Sequence, residues 1–271
     1  MTVIFKVKTQ EAYIIKILAE LLANNIKTGC FEVDADGISL CMMDHHRKIL
    51  IDLKLFANKL STYKFNSKKM FLGINLNHFH KMLKSIKKKD SIELFIDDAS
   101  PNDLGIRVIP KENTRVTTSF VTIQSIQNLD IAIPSGYGKP IIVSSTEYQK
   151  MVKDMANIGG NTMKVFSKGS YIEFSTNSGN ILKRKVRFGE DDDDDEDDKK
   201  DEFSQDYVTE QLCRINKLSG LSTNIQIYTG KPLLFESNIG TIGKISIYIK
   251  SKEQIETESH TVDDSDYSSD E

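Results

Sequence analysis

The sequence predicts an α+β protein of two similar domains, each an antiparallel sheet system carrying two helices. Three observations carry that prediction. Runs with apolar residues at period two outnumber helical runs, every helical run has one apolar side, and the order of elements in the first half recurs in the second. The 271 residues fit two domains of roughly 150 residues each. With 39% hydrophobic residues the chain can fill two cores, and no apolar run approaches the roughly 20 residues of a membrane helix, so a soluble protein without a membrane partner is expected. The alternating run Met1 to Lys8 lacks the pattern of a secretory leader. Cys30, Cys41 and Cys213 are odd in number, far apart and without a C-x-x-C pair, which predicts free thiols in a reducing compartment.

Taken in order, Thr2 to Lys8 alternates like a half-buried strand. From Gln10 to Ala23 the period changes to that of a helix, with Ile14, Ile17, Leu18 and Leu21 on one side and Tyr13, Lys16 and Glu20 opposite. Phe31 to Val33 and Ile38 to Met42 form a strand pair turned by Asp34-Ala35-Asp36-Gly37. Ile49 to Leu55 and Met70 to Ile74 are strands, and Asn75 caps a second helix reaching about Ile86. That helix turns Phe79, Met82, Leu83 and Ile86 inward, with Lys81, Lys84 and Lys88 outside or just past its end. Ser91 to Asp97, Gly105 to Ile109 and Arg115 to Ile123 complete a first domain of residues 1–123.

A connector, residues 124–139, contains Pro134, Gly136 and Gly138, and the second domain spans residues 140–250. Pro140 to Val143 is a strand, and Ser144-Ser-Thr-Glu147 predicts a capping box for a helix from about Ser145 to Asn157, ended by Gly159-Gly160. Tyr148, Met151, Val152 and Met155 form its apolar stripe, opposite Lys150 and Lys153. A strand pair turned at Ser167-Lys168-Gly169 follows, then strands at Asn180 to Phe188 and Phe203 to Tyr207. The fourth helix, about Val208 to Leu218, buries Val208, Leu212 and Ile215 and exposes Glu210, Arg214 and Lys217. Asn224 to Tyr228, Leu233 to Glu236 and Lys244 to Ile249 are the last strands.

The net charge of −3 hides a segregation. Residues 190–202 hold eleven acidic residues against two lysines, a balance of −9, and Glu253 to Glu271 holds eight acidic residues and no lysine or arginine. The rest of the chain therefore carries about +14, as expected of a body that meets a polyanion. Scattered lysines that only solubilise the surface are the plainer alternative. A run of adjacent carboxylates repels itself, so residues 190–202 and the tail 251–271 are expected to be disordered.

Certain stretches carry a specific resemblance. They are Cys30-Phe-Glu-Val-Asp-Ala-Asp-Gly-Ile-Ser-Leu with Met43-Asp44, Gly73-Ile-Asn-Leu with its helix, Leu129-Asp-Ile-Ala-Ile-Pro134, Glu147 to Gly159, and Lys231-Pro-Leu-Leu-Phe-Glu236. In order and spacing, from residue 1 to about residue 250, the chain resembles the eukaryotic-type DNA sliding clamps of the proliferating cell nuclear antigen family. The resemblance implies a clamp fold, a head-to-tail homotrimer closing into a ring around duplex DNA, and a role as DNA polymerase processivity factor without cofactor or catalysis.

The same resemblance assigns sites. Lys16, Lys81, Lys84, Arg115, Lys150, Lys153 and Lys217 would face DNA, joined by Arg214 through spacing alone, while Glu210 stands where the family usually has a basic residue. Phosphate attraction without base reading would let the ring slide. Subunits would pair through the strands Arg115 to Ile123 of one copy and Glu173 to Lys183 of the next, using Val116, Ser119, Val121, Ile172, Phe174 and Ile181. Client peptides would plug a pocket of Met43, Leu50, Ile131, Ile133, Pro134, Pro232 and Tyr248, with Lys48 at its rim and Lys250-Ser251 replacing the usual small residue and Pro. Implied partners are DNA polymerase, a clamp-loader ATPase, flap endonuclease, DNA ligase and other clients with a short clamp-binding motif. The expected location is the nucleus for a cellular protein, and the host nucleus or a cytoplasmic replication compartment for a viral one.

Catalytic readings fail on spacing. Asp44-His45-His46 lacks the i, i+4 histidine spacing of a helical zinc site, the Asp run lacks the glycine turn of a calcium loop, and Ser135-Gly-Tyr-Gly-Lys139 is not a phosphate loop. Cys213 lies on an amphipathic helix without a His partner. Two alternatives stay open: a subunit of a checkpoint-type heterotrimer or another processivity factor that forms no homotrimer, and a metal-dependent nucleic-acid enzyme.

Overall fold

Alternation at the N-terminus becomes β1 (Val3–Thr9), which turns Phe5 and Val7 into a core. The computed structural model describes residues 3–112, 115–179, 181–190 and 202–263, and divides them into two units. Unit 1 is Met1–Ala132 with Gly220–Ser222 and Ser237–Ser246, and unit 2 is the remainder.

In unit 1, β1 is followed by α1 (Ala12–Ala23), β2 (Thr28–Val33), β3 (Gly37–Met43), β4 (Ile49–Phe56), β5 (Thr62–Phe65), β6 (Met70–Asn75), α2 (Leu76–Leu83), β7 (Ser91–Asp97), β8 (Asp103–Ile109) and β9 (Thr117–Thr122). One sheet has the order β5-β1-β7-β8-β9, and a second run of strands has the order β4-β3-β2-β6. The pairings are antiparallel, so short turns suffice to join neighbours. At the β2–β3 turn Asp34 Oδ1 accepts from the amides of Asp36 (2.8 Å) and Gly37 (3.0 Å). The short strand β5 has no counterpart in the sequence reading. Its Tyr63 hydroxyl donates to the Gly37 carbonyl at 2.7 Å, a tertiary bond invisible to local periodicity.

The inward face of α1 is Ile15, Leu18, Leu21 and Leu22 rather than the expected Ile14, Ile17, Leu18 and Leu21. Helix α2 buries Leu76, Phe79 and Leu83 but leaves Met82 exposed, and its cap is the predicted one, with Asn75 Oδ1 accepting from the His78 amide at 3.0 Å. The two helices pack on each other.

Unit 2 contains β10 (Ile141–Ser144), α3 (Ser145–Ile158), β11 (Thr162–Lys168), β12 (Tyr171–Ser178), β13 (Leu182–Phe188), β14 (Phe203–Val208), α4 (Thr209–Arg214), β15 (Asn224–Tyr228) and the first part of β16 (Leu233–Ile239). It also holds the end of β17 (Gly243–Ile249) and α5 (Lys252–Asp263). Its strands run β13-β12-β11-β14 and β10-β15-β16. The predicted stripe of α3 is buried in full, with Tyr148 against Phe174 and Phe235 at ring separations of 6.4 and 5.7 Å. The capping box is not formed: Ser144 Oγ bonds Thr146 Oγ1 and Glu147 turns to Lys150. The helix ends as expected at Gly159, whose φ of +78° a side chain would resist. Helix α4 is shorter than expected, closing into a 3-10 turn at Asn216–Gly220, and Val208 is only half-buried.

The expected disorder of the tail is corrected for its first part, because Lys252–Asp263 is helical. Ser251 and Gln254 form a reciprocal capping box, the Ser251 amide donating to Gln254 Oε1 (3.0 Å) and the Gln254 amide to Ser251 Oγ (3.2 Å). Ion pairs Lys231–Glu253 (2.7 Å) and Lys250–Glu258 (2.6 Å) hold the helix, which packs on β14. Residues 264–271 and the run Asp191–Asp201 lie outside the described residues.

Candidate nucleic-acid interface and docking surfaces

Each unit presents cations from its helix pair. On α2 and just beyond it Lys81 and Lys84 are exposed, as are Lys150 and Lys153 on α3. Lys81, Lys84 and Lys153 have no ion-pair partner among the described residues, so their charges are available to a polyanion. Lys150 is 71% exposed and pairs with Glu147 at 2.8 Å, a contact that raises its pKa and keeps it charged. Lys16 is placed differently. Its ammonium donates to the carbonyls of Lys84 (2.7 Å) and Ile86 (3.1 Å), closing the C-terminal end of α2 and clasping it to α1. Arg214 is held by Glu210, Nε at 3.1 Å and the guanidinium NH2 at 2.6 Å, so the fourth helix spends one cation on its own carboxylate. Lys217 is half-buried in the 3-10 turn, and Arg115 is exposed ahead of β9.

Free sheet edges form the second feature. In unit 1, β9 ends its sheet and exposes Val116 just before the strand and Phe120, the latter at 58%, while Ser119 is half-buried and Val121 is buried. In unit 2 the sheet ends at β14, on which α5 packs, and at β13, which among the described residues is the open edge in place of the expected strand at Glu173 to Lys183. Pairing of Ile172 with Phe188 through Ser178 with Leu182 covers β12 completely. Ile172 and Phe174 are consequently core residues with no exposed surface, and they are withdrawn as interface residues. Ile181 stays outside at 90% exposure, joined by Leu182, which sequence reasoning missed. An unpaired strand edge offers its amides and carbonyls to another strand.

The predicted client-site residues are distributed over both units. In unit 1, Met43 pairs with Leu50 across β3 and β4, and Ile131 is half-buried. In unit 2, Ile133 is exposed, Pro134 and Pro232 are half-buried and Tyr248 is buried. Sequence reasoning missed Tyr137, although a lone aromatic between Gly136 and Gly138 was a usable signal. Its hydroxyl donates to the Pro232 carbonyl at 2.8 Å and its ring lies 6.1 Å from both Tyr228 and Tyr248. Burial first, and then the neighbouring Tyr248, push its pKa up to about 12.

Residues 4–131 match the family described as proliferating cell nuclear antigen, N-terminal domain, and residues 133–258 match its C-terminal domain. The chain belongs to the proliferating cell nuclear antigen family. A probable DNA polymerase sliding clamp of Paramecium bursaria Chlorella virus 1 is 24% identical over 91% of this chain and 96% of that protein. Proliferating cell nuclear antigen 2 of Plasmodium falciparum is 29% identical over 76% of this chain and 81% of that protein. The crystal structure of the proliferating cellular nuclear antigen of Entamoeba histolytica shares the fold with a TM-score of 0.80 at 18% identity, covering 93% of this chain and 100% of that one.

In this member of the family the residues that resemble metal or nucleophile sites by composition do structural work. Asp44 Oδ1 accepts from the amides of Lys48 (2.7 Å) and Ile49 (2.9 Å), shaping the turn in which Arg47 takes a positive φ. Burial, then the charge of Asp52, raises the Cys41 thiol to about 11, and burial raises Cys30 and Cys213 as well, which suppresses the thiolate. Gly73 is required by close approach. A Cβ there would meet the carbonyl of Gln124, whose amide bonds the Gly73 carbonyl at 2.7 Å and so anchors the start of the connector on β6.

Proposed function

We propose that this chain is a DNA polymerase processivity factor, a sliding clamp that closes as a head-to-tail homotrimer around duplex DNA and performs no catalysis itself. The observation that carries the reading is the repeat of one arrangement in both units: antiparallel sheet backing a helix pair whose outward side chains include free lysines. Lys81, Lys84, Lys150 and Lys153 would attract phosphates, with Arg115, Lys217 and Arg214 in support, while Lys16 fixes α2 in place. Flexible ammonium groups attract a backbone without fixing a register, which is the condition for sliding. Copies would join β9 to β13, and clients with short hydrophobic and aromatic motifs, among them polymerase, flap endonuclease and ligase, would bind at Met43, Leu50, Ile131, Ile133, Pro134, Pro232 and Tyr248. A loader ATPase would open the ring. The work would be done in a nucleus or in a viral replication compartment.

Light-scattering mass across a dilution series, followed by polymerase runs on primed circular DNA, tests the reading. A mass three times 30.7 kDa and longer products in the protein's presence are expected. A species that stays monomeric when concentrated would overturn the homotrimer and point to the heterotrimeric alternative.

A further inference from the structure

The solvent face of the β13-β12-β11-β14 sheet carries charges that neither DNA encirclement nor edge pairing accounts for. Antiparallel register sets Asp206, Lys164, Ser175 and Lys185 in one row across the four strands and places Lys183 beside Asn177 in the next. These residues line an open groove of about 550 Å³. A second hollow of about 360 Å³ adjoins it through the shared Lys164 and Asp206, and is bounded by α5 with Glu253 and Glu256. Several charges are already spent: Lys185 pairs with Glu173 (2.9 Å), Glu253 with Lys231 (2.7 Å), and Lys252 donates to Thr162 Oγ1 (3.1 Å). Four are not. Lys164 and Lys183 lack an anionic partner among the described residues, and Asp206 and Glu256 lack a cationic one.

The free charges are sorted by position, cations toward β13 and anions toward α5. Strands stand about 4.8 Å apart, so β13 and β14 are about 14 Å from one another, a span covered by four or five residues of extended chain. We infer that this face binds an extended peptide segment of a partner protein that carries acidic residues at one end and basic residues a few positions away. A nucleic-acid strand fits less well. Tyr171 is buried with the Arg187 guanidinium 4.2 Å over its ring, so that ring offers no open face for base stacking, and Asp206 and Glu256 would repel a continuous polyanion. The side chains involved stand on the sheet face, perpendicular to the strand edge that a second copy would use, so the inference does not depend on the ring.

Fluorescence anisotropy on the full chain at about 50 mM salt tests it, using a labelled peptide of about nine residues with three acidic residues, a Gly-Ser spacer and three basic residues. The dipolar peptide is expected to bind at least about fivefold tighter than a peptide of the same composition with alternating charges. Lys164→Glu with Lys183→Glu is expected to weaken it at least about tenfold, with light-scattering mass recorded alongside to separate any effect on assembly. Equal binding of the two peptides, indifference to the double substitution, or tighter binding of a labelled oligothymidine that displaces the peptide would each overturn the assignment, the last in favour of single-stranded nucleic acid.

Discussion

At the residue scale, charge alone does not identify a DNA contact; the partner of each charge does. Lys16 and Lys84 read alike in the sequence, yet the Lys16 ammonium is committed to two carbonyls while Lys84 stands free. Glu210 has the opposite effect, holding Arg214 against its own helix. Exposed pairs of this kind contribute little to stability, so replacing the carboxylate should leave the fold intact. Glu210→Lys is therefore expected to strengthen DNA binding several-fold at about 50 mM salt and to steepen the salt dependence of log K by about 1 to 2 per copy engaged. A salt titration by anisotropy on duplex DNA measures both, and an unchanged slope would remove α4 from the proposed interface.

At the element scale, α5 shows what local reading can and cannot find. Ser251 and Gln254 stand three apart, the spacing of a capping box, a signal that sequence reasoning missed beside the acidic composition that follows. Ser144 and Glu147 have the same spacing and do not cap, since each has a nearer partner. The strands, the α3 stripe and the Asn75 cap were legible because periodicity and capping are local. The rotation of α1, the strand β5 and the edge status of β13 were not, because pairing and burial depend on distant segments. Ser251→Ala should destabilise α5 by about 1 kcal/mol, seen as roughly fivefold faster amide exchange over Lys252–Asp263 with the sheets unaffected. Unchanged exchange would mean that the ion pairs to Lys231 and Lys250 hold the helix alone.

At the scale of the whole molecule, the sequence carried the family and the repeat, whereas the interface residues needed the topology. Withdrawing Ile172, Phe174 and the buried Val121 as side-chain contacts leaves Val116, Ser119 and Ile181, to which Phe120 and Leu182 are added as exposed apolar groups at strand edges. A further cation on β9 would face the lysines and arginines that β13 carries, and like charges set opposite one another destabilise a strand pair. Phe120→Lys is accordingly expected to give particles of 30.7 kDa in light scattering with unchanged circular dichroism, and a persistent trimer would exclude β9 from the contact. The two edges are also unlike in character: β9 is rich in threonine, while β13 carries Lys183, Arg184, Lys185 and Arg187. Two copies of β13 would repel one another, which disfavours a β13-to-β13 contact, and the proposed β9-to-β13 contact repeats with the same hand in each copy. A ring assembled under that rule would have a front and a back that differ, so a partner docked on one face would meet a surface that the other face lacks.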